Sequence, residues 1–498
     1  MKLTRRSFLA AAALAGGAAV TGSSIWRLAA GEQPQELKVP KLIDARSAGQ
    51  SIQLRAQTGK TSFFPGSESN TLGYNGSYLG PTLRVHRGDD VEVAVTNALD
   101  EDTTVHWHGL LIPGELDGSP HQTISPGATW RPVLPIRQPA ATLWYHSHAH
   151  GRTAEQVYAG LAGLLIVSDE VEMELGLPSE YGVDDLPLIL QDREFQDGSL
   201  VVPQGMMTAM HGRRGDTLLV NGTPSPIARV PRRMVRLRLV NGSNARTFNL
   251  AFTDDRSFNW IASEGGLLER PVELRSLSLV PGERVEIIVD FSDGRPVKLE
   301  TGPDSSMPMM MGMMARASDM IGAGRGTLVS FAPEGAHVGE TRLPTRFVSH
   351  DRPTVSQAVR RRQFSMNMGM GMMGGMRNPS GMGSMMNSRN GMFGINGRAH
   401  DMNRVDEEAR LGDVEIWDIR GEMMAHPFHI HGVHFEVLSR NGGKPHLRDQ
   451  GLKDTVMVDD SVEVLVQFTQ PAKTAPFMYH CHILEHEDNG MMGQFIVT

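Results

Sequence analysis

The 498-residue chain has a single cysteine, Cys481. No internal disulfide can form, so the fold must hold through its cores and the thiol is free for another use. Basic charge is also scarce. There are 48 Lys and Arg against 56 Asp and Glu, a formal net charge of −8, and no long basic run. That composition argues against nucleic acid as a partner. Nor is there a strongly apolar run of membrane length: the Ala/Gly-rich stretch after Arg5 and Arg6 is too weakly hydrophobic to anchor, so no stable membrane span is expected. What remains is ordinary globular composition, 40% hydrophobic and 21% charged. The length suits about two to four domains.

The N-terminus reads as an address rather than as fold. "TRRSFLA" (Thr4–Ala10) sets paired Arg5 and Arg6 before the Ala-rich run and resembles a twin-arginine export signal. Residues 1–36 are therefore expected to be signal peptide and leader, cut between Gly22 and Gly31, with the mature protein in the periplasm.

The body of the chain repeats itself. Tyr74–Asn97, Val220–Ser243 and Ile395–Ile419 each carry an Asn-Gly turn, a loop and an alternating apolar strand. A later strand recurs as "SPGATWRPVLPI", "VPGERVEIIVDF" and "VDDSVEVLVQF". Period-2 alternation between Gly and Pro punctuation predicts antiparallel β-structure. The expectation is an all-β fold of three β-sandwich domains at 37–170, 175–335 and 340–498. The copies differ in histidine. The first has "VHWHGL" and "YHSHAHG", the third "HPFHIHG" and "YHCHILEH", and the middle one "RTFNLAF" with none. The outer domains are thus expected to carry ligands and the middle one to act as a spacer.

Five His-x-His pairs occur, at 106/108, 146/148, 148/150, 429/431 and 480/482, where 19 histidines would give roughly 0.7 by chance. On a strand, residues i and i+2 face the same way, so each pair is a two-pronged grip. His106, His108, His146, His148, His429, His431, His480 and His482 offer more imidazoles than one ion can use. They suit a cluster of two or three ions between the outer domains. Cys481, between His480 and His482, points to the opposite face. His426 lies at an odd offset from His429. With His486 and Met491 as a weak axial ligand these form a His₂CysMet set, which favours copper of the blue electron-transfer kind. Electrons reaching Cys481 could pass to the ions held by its neighbours.

Taken together, "HWHG", "HSHAHG", "HPFHIHG" and "HCHILEHEDNGMM" resemble the four copper-binding motifs of three-domain multicopper oxidases. With the export signal and Met-rich segments, the chain is most similar to the bacterial copper-efflux oxidases, which are laccase-like. The resemblance implies cupredoxin-like Greek-key sandwiches and four copper ions. Type 1 copper would take His426, Cys481, His486 and Met491. Type 2 would take His106 and His429. The type 3 pair would take His108, His146, His148, His431, His480 and His482. His150 belongs to the motif but not to this ligand set. The implied reaction couples four one-electron oxidations to reduction of dioxygen to two waters, with Glu487 and Asp117 matching acids that deliver protons.

Methionines crowd Met307–Met314 and Met366–Met392, the latter interleaved with Gly, Ser, Asn and Arg. Thioethers suit Cu(I). The expected substrate is therefore Cu(I), in a monomer serving periplasmic copper tolerance. Glu422, Met424 and Met366 match positions where that family binds substrate copper. Met366–Met392 contains no Asp or Glu, although the family draws a carboxylate from that region. The alternatives are a general laccase oxidising phenols or other small organic reductants, and a non-enzymatic exported copper-binding protein.

Overall fold

The computed structural model describes residues 35–304, 306, 325–337, 342–368 and 393–498. The twin-arginine stretch, Met307–Met314 and residues 369–392 of the long Met-rich segment lie outside the described residues. The described strands form six sheets, two from each third of the chain. Each pair encloses one apolar core. Trp107, Tyr145 and Leu165 lie in the first, Leu237, Phe248 and Trp260 in the second, and Phe364, Trp417 and Phe428 in the third.

The sheets are mixed, not antiparallel as the alternation predicts. Ser51–Thr61 runs parallel to Asp90–Asn97, Asp185–Gln196 to Met234–Asn241, and Ala358–Met368 to Val414–Gly421. A second parallel pairing recurs just as faithfully. Thr82–His86 lies beside Ala162–Ser168, Ile227–Pro231 beside Gly326–Glu334, and Glu407–Ala409 beside Met492–Val497. The reason for the mismatch is physical. Alternation reports which face of a strand is buried, not the direction of its neighbour, and long crossovers allow parallel neighbours.

The recurrent Asn-Gly turn has one job in all three copies. Asn75, Asn221 and Asn396 adopt left-handed backbone, with φ of 58°, 51° and 53°. Each side-chain oxygen accepts from a backbone N–H of the long first strand, at Arg55 (2.7 Å), Ile189 (2.8 Å) and Ser365 (2.8 Å). Each amide then donates to the carbonyl two residues earlier, at Gln53, Pro187 and Gln363. Asparagine tolerates this conformation and supplies both a donor and an acceptor.

Candidate metal centre

The histidine grips sit at strand ends rather than within strands. His146 closes the strand Ala141–His146, His429 lies in His426–Ile430, and His480 lies in Ala472–Cys481. The second member of each pair, His148, His431 or His482, lies just past the end of its strand. His106 is joined to His146 by an isolated bridge, and His108 lies in the turn that follows. The two-residue spacing therefore brings the rings together through strand ends as much as through pleat parity. His429 and His480 are cross-strand partners, as are Phe428 and Cys481, and this puts Cys481 on the face opposite the His429–His480 pair.

All eight imidazoles are buried. In most of them the outward ring nitrogen is committed. His106 Nδ1 donates to the Asp117 carbonyl (3.0 Å), His146 Nδ1 to Ser147 O (2.8 Å), His429 Nδ1 to Asp454 O (2.9 Å) and His480 Nδ1 to Cys481 O (3.0 Å). His431 Nδ1 donates to Asp117 Oδ2 (2.8 Å) and His108 Nε2 to Asp454 Oδ1 (3.1 Å). These bonds set the tautomers, so the remaining lone pairs face one another. His108 Nδ1 and His146 Nε2 are 3.3 Å apart, and His431 Nε2 and His480 Nε2 are 3.2 Å apart. His106 Nε2, His429 Nε2 and both His482 nitrogens are buried without a protein partner. Burial pushes His108, His146, His148, His431, His480 and His482 well below the ordinary histidine range, which keeps them neutral. Facing lone pairs among fully buried rings call for cations, and imidazole nitrogen suits copper. The ligand atoms of His148, His431 and His480 all lie within 4.8 Å of one another, as do those of His106, His429 and His431.

The second centre lies behind Cys481. Its Sγ is 3.4 Å from His426 Nδ1 and 3.6 Å from His486 Nδ1. The outer nitrogens are again held: His426 Nε2 donates to Glu422 O (3.2 Å) and His486 Nε2 to Met210 O (3.1 Å). Met491 is fully buried in the same core, and its carbonyl accepts from Cys481 N (3.1 Å). Burial pushes the Cys481 thiol up, so a thiolate here needs a cation beside it. The donor set of thiolate and two imidazoles fits copper.

The acids expected nearby are nearby. Glu487, in the short helix Leu484–Asp488, has Oε1 3.3 Å from His148 Nδ1 and Oε2 3.2 Å from His480 Nδ1. Burial, then the adjacent Asp488, pushes its carboxyl well above the usual range. Asp117 holds His106 and His431 as described. The three expected substrate residues also meet: Glu422 N donates to Met366 O (3.2 Å), close to His426. Glu422 is exposed, but Met366 is fully buried in the third core and Met424 is buried beside it.

Sequence reasoning passed over the residues that frame the cluster from a distance. Asp454 accepts from Arg284 through both carboxylate oxygens, at 2.7 and 2.6 Å. Gly282, two residues before Arg284, approaches so closely that a Cβ would lie 2.8 Å from the His482 ring. The middle third therefore does more than separate the outer two. The turn at Gly282 and the strand Arg284–Asp290 that follows it carry these two residues, and the helix Met206–His211 supplies the Met210 carbonyl. The signal for Arg284 was a fully buried charge at the start of an alternating apolar strand, which the sequence alone does not show as buried. Asp454 and Met210 lie in no motif.

Sites and fold together define the class, and the chain belongs to the multicopper oxidase family. Three family profiles described as multicopper oxidase match residues 55–172, 187–298 and 369–498. Among solved structures, the chain is similar to the laccase-like multicopper oxidase CueO from an Ochrobactrum species. The TM-score is 0.82 at 42% identity, over 93% of this chain and 100% of that one. A Campylobacter jejuni multicopper oxidase described as a metallo-oxidase matches with TM-score 0.79 and 28% identity, over 94% of this chain and 96% of that one. The all-β, cupredoxin-like fold expected from the sequence is thus present. Among curated proteins, the chain is 40% identical over its whole length to proteins named cell division protein FtsP. Those from Xenorhabdus nematophila and Escherichia coli K12 are each covered over 99% of their length.

These names overturn the expectation of a cuprous oxidase serving copper tolerance. End-to-end relatives are named for cell division, not for copper handling. The expectation rested on methionine composition and on the resemblance to exported copper-efflux oxidases, Glu422 and Met424 included. Most of those methionines lie outside the described residues, and Met366 is a core residue.

Proposed function

We propose that this protein is a dioxygen-reducing multicopper oxidase that acts in the setting of cell division, drawing electrons from an external reductant. In this reading His426, Cys481, His486 and Met491 hold a type 1 ion and His106 with His429 a type 2 ion. His108, His146, His148, His431, His480 and His482 hold a type 3 pair. Copper bound there supplies one-electron redox chemistry, and four ions can deliver the four electrons that take dioxygen to two waters. The chain's own residues do the rest. Cys481 links one site covalently to His480 and His482 of the other. Glu487, whose carboxyl burial pushes well above the usual range, lies within reach of His148 and His480, where a proton can be passed. Asp117 fixes the rings of His106 and His431. Glu422 and Met424 border His426, at the edge where a reductant would approach.

The reading extends to the wider organisation: three sandwich domains at 37–170, 175–335 and 340–498, and a monomer exported by the twin-arginine route to the periplasm. Among the described residues, no helix is long and apolar enough to cross a membrane.

The observation that carries the proposal is the inward turn of the lone pairs, enforced in six of the eight rings by a bond on the outer side. The test is copper content, blue absorption from a thiolate-bound Cu(II), and reductant-dependent dioxygen uptake on purified protein. Fewer than about four coppers per chain with no uptake would overturn it. A second reading, favoured by the names of the full-length relatives, is a division protein whose ions only hold its domains together. A Cys481→Ser chain that supports division as well as the unaltered one would favour that reading.

A further inference from the structure

Three imidazoles lie outside the twelve-residue ligand set yet close to one another. His121 sits in the short turn Pro120–Gln122, and His150 lies two residues beyond His148. His400 comes from the far end of the chain, between the strands Phe393–Ile395 and Glu407–Ala409. The His150 and His400 rings are 5.6 Å apart between centroids, inclined by 58°. That matches pairs in the main sites: 5.6 Å for His480 and His482, 5.5 Å for His106 and His108, and 5.2 Å for His426 and His486. A thioether joins them, with His400 Nε2 3.4 Å from Met402 Sδ. A ring nitrogen and a sulfur that close can share one ion at ordinary bond lengths. His400 Nδ1 is buried and has no hydrogen-bond partner.

The group is braced by one side chain. Gln494 Oε1 accepts from His121 Nε2 (2.8 Å), while its Nε2 donates to the carbonyls of Met402 (3.2 Å) and Arg404 (2.7 Å). His400 N donates to Gly490 O (3.0 Å). His121, from the first third, and the His400–Met402 loop, from the last, are thus clamped to the same strand, Met492–Val497. His150 is exposed, so an ion can enter from solvent.

We propose that His150, His400 and Met402 bind one further ion, and that the imidazole–thioether set selects Cu(I). The site is separate from the buried centres and needs none of their ligands.

The test uses copper-loaded protein. Blue absorption is first recorded on the oxidised protein. The protein is then fully reduced with ascorbate under anaerobic conditions, so that its resident ions take no electrons from the probe. Cu(I) is offered in competition with a chromophoric Cu(I) chelator, and the ion retained beyond the resident copper is counted. One extra equivalent is expected for the unaltered protein and for Glu155→Gln, a surface control. None is expected for His150→Ala or for His150→Ala/His400→Ala, with blue absorption unchanged. Met402→Leu should weaken retention by about tenfold or more, and X-ray absorption of the extra ion should show a sulfur neighbour that this change removes. Equal retention by all variants would overturn the proposal, as would an extra ion with no sulfur in its shell. His150→Ala alone guards against a folding artefact, because its side chain is on the surface.

Discussion

Asp454 shows how much one carboxylate can organise. Its two oxygens receive Arg284, one also receives His108, and its carbonyl receives His429. Both Asp454 and Arg284 are fully buried. Truncating the acid leaves a guanidinium without its counter-charge and frees two imidazoles to rotate. Asp454→Ala should cost about 3–5 kcal/mol of stability, read by thermal or denaturant unfolding, and should lower the copper retained per chain after dialysis. Cys481→Ser should behave oppositely: little loss of stability, complete loss of the blue absorption, and retention of the ions held by the other histidines. The contrast explains what the sequence could disclose at this scale. Cys481, His486 and Met491 lie within eleven positions and advertise their chemistry. Arg284 reaches Asp454 across 170 positions, and no local pattern encodes such a meeting.

Among elements, the Asn-Gly turns and the strand ends carry most of the information. The turns were visible as turns because left-handed backbone is favoured by few residues. What they pin was not visible, since the partner strand begins about twenty or more residues earlier in each copy. Asn221→Ala removes an acceptor for Ile189 and a donor to the carbonyls of Pro187 and Lys38, and places alanine at a φ of 51°. Three hydrogen bonds at about 1 kcal/mol each and a left-handed penalty of about 1 kcal/mol predict a loss of about 4 kcal/mol. Asn221→Gly should lose less, because it relieves the backbone term. Denaturant midpoints for the pair measure the two contributions separately. The histidine grips illustrate a different limit. Two-residue spacing correctly grouped the rings, but for a reason only partly right, since the second ring of each pair has left the strand.

At the level of the whole molecule, the middle third is wired to both neighbours by buried charge. Lys453 of the last third meets Glu264 (2.9 Å) and Glu283 (3.1 Å) of the middle. Arg238 of the middle meets Glu172 and Asp185, and donates to Thr142 of the first. Burial drives the Glu264 carboxyl up to about 8 even with Lys453 beside it. Lys453→Met would leave two acids facing each other in a dry interface. We expect about 3–5 kcal/mol of destabilisation, seen as earlier separation of the last third in limited proteolysis. Adding Glu264→Gln and Glu283→Gln should restore part of it, because the stranded charge goes with them. The three-sandwich plan itself was readable because each copy repeats its own strands and turn. The joints between copies were not, because each depends on residues that are individually commonplace.

The carbonyl of Met210 reaches His486 from a helix whose Met206 and Met207 are on the outside, 43% and 54% exposed. A protein that pressed on that ridge would pull on the far nitrogen of a ring whose near nitrogen faces the thiolate. Were copper bound there, a change in its visible absorption would register a push on the outside of that helix, one ring away from the sulfur.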